Sequence, residues 1–301
     1  MTNESFYRNP PDCASVAAHI SALHERFDFL HVSELGKSVL GRPIHILQIG
    51  EPQECVLFVG AFHGMEWLTC SLLLRFIDDL CFALDNGYSL DDVDVRRALL
   101  GRGLTVIPCI NPDGVEISLY GEDSALSLCD CVREISKGDT LHWQANARGV
   151  DLNHNFDAGW HVLRHLESTA GINAPAITRF GGTAPESEPE THLLASLCRS
   201  HPFRHALAFH SQGEEIYWRY GAHLPPRSVL MTRILAAVSG YKPAAANGLA
   251  SHGGFKDWFI QEFHRPAFTI EIGKGSNPLP ITDLRPIYAK LREMLLLAAI
   301  L

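Results

Sequence analysis

No apolar run in the chain approaches the roughly 18–20 residues that a membrane-spanning helix needs. The N-terminus, MTNESFYRNPPDC, has no basic segment leading into an apolar one, the mark of a secretory leader. Both absences argue against membrane insertion or export. Positive charge is also short: 25 Lys and Arg against 34 Asp and Glu leave a formal charge of −9, which argues against a nucleic-acid partner. The 24 glycines and 17 prolines follow no period, which excludes collagen-like and low-complexity chains. The eight cysteines (Cys13, Cys55, Cys70, Cys81, Cys109, Cys129, Cys131 and Cys198) are scattered along a long chain without such a leader, so free thiols in a reducing, cytoplasmic compartment are expected. What remains is a chain of 301 residues, 46% hydrophobic and 20% charged, too apolar to stay disordered. No linker-like stretch interrupts it, and residues 1–301 are expected to form a single domain.

Short apolar runs alternate with helical patterns, the signature of an α/β layer fold. Val56–Gly60, Leu104–Ile110, Ala206–Phe209 and Ala267–Ile272 read as buried strands. Helices are expected over Trp67–Leu84, Val229–Val238, Phe255–Phe263 and Ile287–Leu301. Another should open at Ser187-Glu188-Pro189-Glu190, which has the S-x-x-E spacing of a capping box. The stretch from Tyr120 to Asn146 is the least regular and reads as a surface loop.

The sharpest chemical signal follows the first strand. In Gly60-Ala61-Phe62-His63-Gly64-Met65-Glu66-Trp67, an H-x-x-E spacing at a strand-to-helix transition lets an imidazole and a carboxylate converge on one cation, as Zn²⁺ prefers. Such a spacing also arises by chance at helix starts. A catalytic zinc needs a third protein ligand, and His210, at the C-terminal end of an apolar strand, lies where open α/β sheets place ligands. A single histidine there can equally be a satisfied structural residue. Glu271, inside Phe268–Gly273, is a carboxylate in an apolar strand and is costly to bury alone. A nearby cation, a raised pKa or a buried arginine would each offset that cost. The first two suit a general base.

These residues carry a family resemblance. His63-x-x-Glu66, Asn111-Pro112-Asp113-Gly114, Arg148-Gly149-Val150-Asp151-Leu152-Asn153, His210-Ser211-Gln212 and Thr269-Ile270-Glu271 occur in the order of the zinc metallocarboxypeptidases. The leader Gly36–Ile44 looks like that family's N-terminal strand region, and the match spans about residues 30–275. The resemblance implies a carboxypeptidase-like α/β fold: a central mixed, twisted sheet of about eight strands with helices on both faces. It further implies one Zn²⁺ held by His63, Glu66 and His210, with Glu271 as general base and acid. Arg148 resembles the arginine that polarises the scissile carbonyl; anchoring the alignment on Trp143 would put Gln144 in that role instead.

The departures are equally informative. The Asn-Arg pair that clamps a C-terminal carboxylate in the family is here Asn153-His154, and imidazole lacks guanidinium's bidentate fork. Met65 stands where the pancreatic enzymes have arginine, and Leu249 where they have the mobile lid tyrosine. An ordinary carboxypeptidase is therefore not the expectation. His210–Trp218 and Gly253–Gln261 look like the bacterial γ-D-glutamyl-L-diamino-acid endopeptidase branch, which cleaves the γ-D-glutamyl–diaminopimelate bond of cell-wall peptides. On that resemblance the partner is a small murein peptide. Lys256 would meet a carboxylate of the diamino acid, Glu214 or Glu215 its ammonium, and Asn153 and His154 would touch substrate. Two competing readings are a carboxypeptidase of unusual specificity or an amidase acting on a small N-acyl amino acid, and a zinc-retaining binding protein. Glu271 opposes the second, since binding alone needs no base.

Overall fold

The computed structural model describes residues 6–246 and 248–301. Eight strands form one mixed sheet: β1 His31–Lys37, β2 Pro43–Gly50, β3 Cys55–Val59, β4 Gly103–Ile107, β5 Ala206–Ser211, β6 Glu215–Tyr217, β7 Lys242–Ala244 and β8 Ala267–Ile272. Their order across the sheet is β1-β2-β4-β3-β5-β8-β6-β7. The centre, β4-β3-β5-β8, is parallel, and antiparallel pairings flank it at β2-β4 and β8-β6. A parallel centre must be covered on both faces, and the sequence provides for this. In β3, Val56 and Phe58 join a core with the helices Cys13–Arg26, Leu68–Asn86, Ser228–Ser239 and Leu284–Ile300, whereas Leu57 and Val59 join a second core with Pro189–Ser200 and Phe255–Phe263. The two-residue period of a strand alone makes this division. Phe58 is fully buried and meets Phe209 edge-on at 5.5 Å. Truncating such a phenylalanine costs about 3–5 kcal/mol.

The four apolar runs read as strands are the parallel centre, and the flanking strands are those without such runs. β1, β6 and β7 are short or partly exposed, so no long buried pattern marks them. Two expectations are corrected. Within Tyr120–Asn146, residues Cys129–Ser136 form a helix, and Trp143 is fully buried with Ile117 and Val132 in a third cluster. Nor does Ser187 cap the helix Pro189–Ser200: the N-cap position is Glu188, with no side-chain capping bond. Glu190 instead takes the Val39 N–H at 3.0 Å, and Asn155 donates to the Ser187 hydroxyl. Tertiary partners displace the local cap.

Candidate metal and catalytic site

The C-terminal ends of β3, β5 and β8 open onto a cleft of about 220 Å³, the edge where parallel sheets place their ligands. His63 leaves β3 through a loop that the chain braces from several sides. Gly64 cannot be replaced there, because a Cβ would lie 2.2 Å from Gly114 O and 2.7 Å from Trp143 O. The Asn111 amide donates to Phe62 O and Ala145 O, and its oxygen accepts from Gly114 N. The Asn-Pro-Asp-Gly segment, unremarkable as a turn in the sequence, is thus the bracket that holds the loop.

His210 and Glu271 are register partners on the parallel pair β5-β8, and Glu215 is the partner of Glu271 on β6. Side chains directly across a ladder share a face, so strand parity alone delivers His210 and Glu271 to one side of the sheet. The Nδ1 of His63 lies 2.8 Å from Glu66 Oε1, and the Nδ1 of His210 lies 2.9 Å from Glu66 Oε2. The ligand atoms of the three residues all fall within 4.8 Å of one another. Asp151, buried beneath, accepts from His63 Nε2 at 3.0 Å. With Nε2 turned to Asp151, Nδ1 is the nitrogen that faces Glu66 and is placed to share a cation with it. This carboxylate–histidine arrangement orients zinc-ligating imidazoles.

The electrostatics fit a cation. Burial pulls the His63 pKa down, but Glu66 and Asp151 outweigh it and hold the pKa well above its ordinary value. Burial likewise opposes ionisation of Glu66, yet the two imidazoles bring its carboxyl to about 2. Asp151 is held well below the usual carboxylate range by His63 and His154 against its own burial. For Glu271, burial and the neighbouring Glu66 and Glu215 raise the carboxyl well above its usual range. Two imidazole nitrogens and a carboxylate, amid further acidic groups, make the donor chemistry a zinc ion takes with a position left for water.

The remaining candidates divide. Asn153 lines the cleft and its Oδ1 accepts from Phe255 N at 3.0 Å. His154 also lines it, but Nδ1 is 2.9 Å from buried Glu167. Lys256 reaches the cleft floor nearly buried, its ammonium bonded to Arg219 O at 2.9 Å and against the Asp257 carboxylate. Burial raises the Asp257 pKa, with Lys256 opposing.

Arg148 does not reach the cleft. The Asn146 side chain accepts from both Arg148 N and Val150 N, and this turn sends the guanidinium outward, half-exposed and 3.5 Å from Glu188. Gln144, the other alignment's residue, does line the cleft, its oxygen engaged by the Thr178 hydroxyl. Glu215 accepts from the Tyr217 hydroxyl at 2.7 Å and does not line the cavity, and Glu214 pairs on the surface with Lys274 and Lys290. Neither Met65 nor Leu249 lines it. The sequence alone gives Asp151 no role, although an aspartate flanked by Val150 and Leu152 signals a buried carboxylate. Arg179, which also lines the cleft, carried no signal in Thr178-Arg179-Phe180.

Fold and donor set together describe a metallohydrolase on a mixed α/β sheet. The zinc carboxypeptidase (peptidase M14) family model matches residues 16–294, and the chain belongs to that family. It is a zinc metallopeptidase. It is 35% identical over 279 residues to gamma-D-glutamyl-L-diamino acid endopeptidase 1 of Lysinibacillus sphaericus, covering 92% of this chain and 69% of that one. In fold it is similar to thrombin-activatable fibrinolysis inhibitor, with a TM-score of 0.77 and 18% identity, over 100% of this chain and 76% of that one. A murein-tripeptide amidase from Escherichia coli O157 aligns with a TM-score of 0.54 and 21% identity, over 88% of this chain and 91% of that one.

Proposed function

We propose that the protein hydrolyses the amide joining the γ-carboxyl of D-glutamate to meso-diaminopimelate in murein peptides. The observation that carries this reading is the cleft itself. A His-Glu-His donor set and Glu271 share it with a buried Lys256–Asp257 pair, while position 154, an arginine in carboxypeptidases by resemblance, holds an imidazole engaged with Glu167. The likeness to a γ-D-glutamyl-L-diamino acid endopeptidase supports it.

His63, Glu66 and His210 hold the zinc, which when bound acidifies water and polarises an amide carbonyl. Glu271 takes a proton from the attacking water at its carboxylate and delivers it to the leaving α-amine of the diamino acid. Gln144, its oxygen engaged by Thr178, turns its amide N–H groups toward the scissile carbonyl and stabilises developing negative charge. Asn153 orients the substrate. Lys256 and Asp257 face the diamino acid with one charge of each sign. Lys256 meets a carboxylate of the diamino acid, and Asp257, rather than Glu214 or Glu215, faces its ammonium. The reading includes a cytoplasmic setting and one catalytic unit over residues 1–301, supported by eight free cysteines and by a single sheet drawn from both halves of the chain.

The test uses zinc-loaded protein and L-Ala-γ-D-Glu-meso-diaminopimelate, with product identified by mass spectrometry and with chelated and Glu271→Gln controls. Release of diaminopimelate that is lost in both controls establishes the reading. An intact peptide in the presence of bound zinc overturns it.

A further inference from the structure

The cleft holds one guanidinium that no described residue engages. Lys256 is already neighboured by Asp257, whereas the Arg179 guanidinium has neither a hydrogen bond nor an ion pair among the described residues, and it lies exposed on the cleft wall. We propose that Arg179 binds a free carboxylate of the substrate flanking the scissile amide, supplying from the 178–182 loop the guanidinium that position 154 lacks. The proposal rests on the γ-D-glutamyl reading above and names the residue that would read a carboxylate beside its scissile amide.

Three observations converge on Arg179. First, its backbone has φ 65°, a left-handed conformation that a side-chain-bearing residue adopts at a cost. Second, that conformation is pinned at both ends: Arg179 N donates to Asp151 Oδ2 at 2.9 Å, and Arg179 O lies 3.2 Å from His154 Nδ1. Asp151 is the same carboxylate that orients His63, so the arginine is set in fixed relation to the metal ligands. Third, His154 is itself held by buried Glu167. Its ring is therefore occupied in positioning the loop.

The substrate chemistry matches. Linking glutamate through its γ-carboxyl leaves its α-carboxylate free on the acyl side, and the diamino acid carries an α-carboxylate on the leaving side. An ordinary α-linked peptide has no backbone carboxylate on the acyl side. A planar guanidinium engages either carboxylate through two parallel N–H bonds, which lysine cannot reproduce.

The experiment compares zinc-loaded wild type, Arg179→Gln and Arg179→Lys on three peptides: L-Ala-γ-D-Glu-diaminopimelate, its D-Glu α-amide, and its diaminopimelate α-amide. Zinc content and melting temperature verify that the variants are folded. Wild type should lose about 10–100-fold in kcat/KM on one of the two amides. Arg179→Gln should lose a similar factor on the parent peptide and differ by less than about threefold between parent and that amide. Arg179→Lys should recover only part of the loss. Which amide is discriminated identifies the carboxylate. A folded Arg179→Gln within about threefold of wild type on the parent, or one that still discriminates as wild type does, overturns the proposal. Failure of the wild type on all three peptides instead overturns the γ-D-glutamyl reading. Arg179 is then judged by the same ratio on an N-acyl amino acid and its α-amide, where equal discrimination by wild type and variant overturns the arginine's role as well.

Discussion

The two walls of the cleft are built differently. On the metal wall, His63, Glu66, His210 and Glu271 sit at or just beyond the ends of central strands, and Asp151 beneath them is buried. On the wall proposed for recognition, Asn153 and His154 lie in a single 3-10 turn, Arg179 in a loop, and Lys256 at the start of the helix Phe255–Phe263. The chemistry is anchored in the sheet's pairing pattern, where a change is felt throughout the core. The groups proposed for recognition sit on segments that can be altered one at a time. This is the usual division between a rigid scaffold and the loops it positions.

Breaking the metal wall should have the largest effect. Glu271→Gln should lower kcat by about 10²–10⁴-fold while leaving zinc bound, as read by metal analysis beside the rate. On the recognition wall, Lys256→Met strands the Asp257 carboxylate in a buried site and should cost about 3–5 kcal/mol in urea denaturation at neutral pH. The double variant with Asp257→Asn should regain most of that. If the single variant is as stable as wild type, the pair is not the floor's electrostatic unit.

The scaffold behind the metal wall should respond to acid. His205 lies immediately before β5, fully buried, with Nε2 2.7 Å from Ala298 O. Burial, outweighing that bond, lowers its imidazole from 6.5 to about 3. The folded protein keeps His205 neutral, whereas the unfolded chain takes up a proton below about pH 6.5. Its share of stability is therefore full above pH 6.5 and declines as pH falls toward 3, by an amount on the order of 4 kcal/mol. Denaturation midpoints across that range should show the decline, and His205→Gln should flatten it. Asp151→Ala should weaken zinc affinity by about 10–100-fold, measured by competition with a chelator. The smallest effect is expected for Arg148→Ala, with kcat/KM within about threefold of wild type. A large loss there would return the carbonyl-polarising role to Arg148.

The same contrast governs what was legible in the sequence. The four central strands announce themselves because burial on both faces demands near-continuous apolar runs, as in Cys55–Val59 and, apart from Thr269 and Glu271, Ala267–Ile272. Spacing and strand ends single out the metal residues as candidates, and the family resemblance joins them into one set. The recognition wall has no such code. Arg148 and Asp151 are three residues apart, yet an Asn146-capped turn sends one outward and the other beneath His63. Arg179 is brought to the cleft by a bond to Asp151, 28 residues earlier, which no local pattern reports.

The pairing of His210 with Glu271 across β5 and β8 makes the active centre a gauge of how those strands are aligned. A slip of one residue leaves a ladder of hydrogen bonds but turns Glu271 to the opposite face. Phe268, Ile270 and Ile272 would then meet the cleft side and Thr269 and Glu271 the opposite core. A single-residue deletion within Ala267–Ile272 should therefore abolish activity outright rather than diminish it by degrees. Insertions confined to the recognition loops leave that parity untouched, so along this chain length variation is compatible with new specificities only outside the central strands.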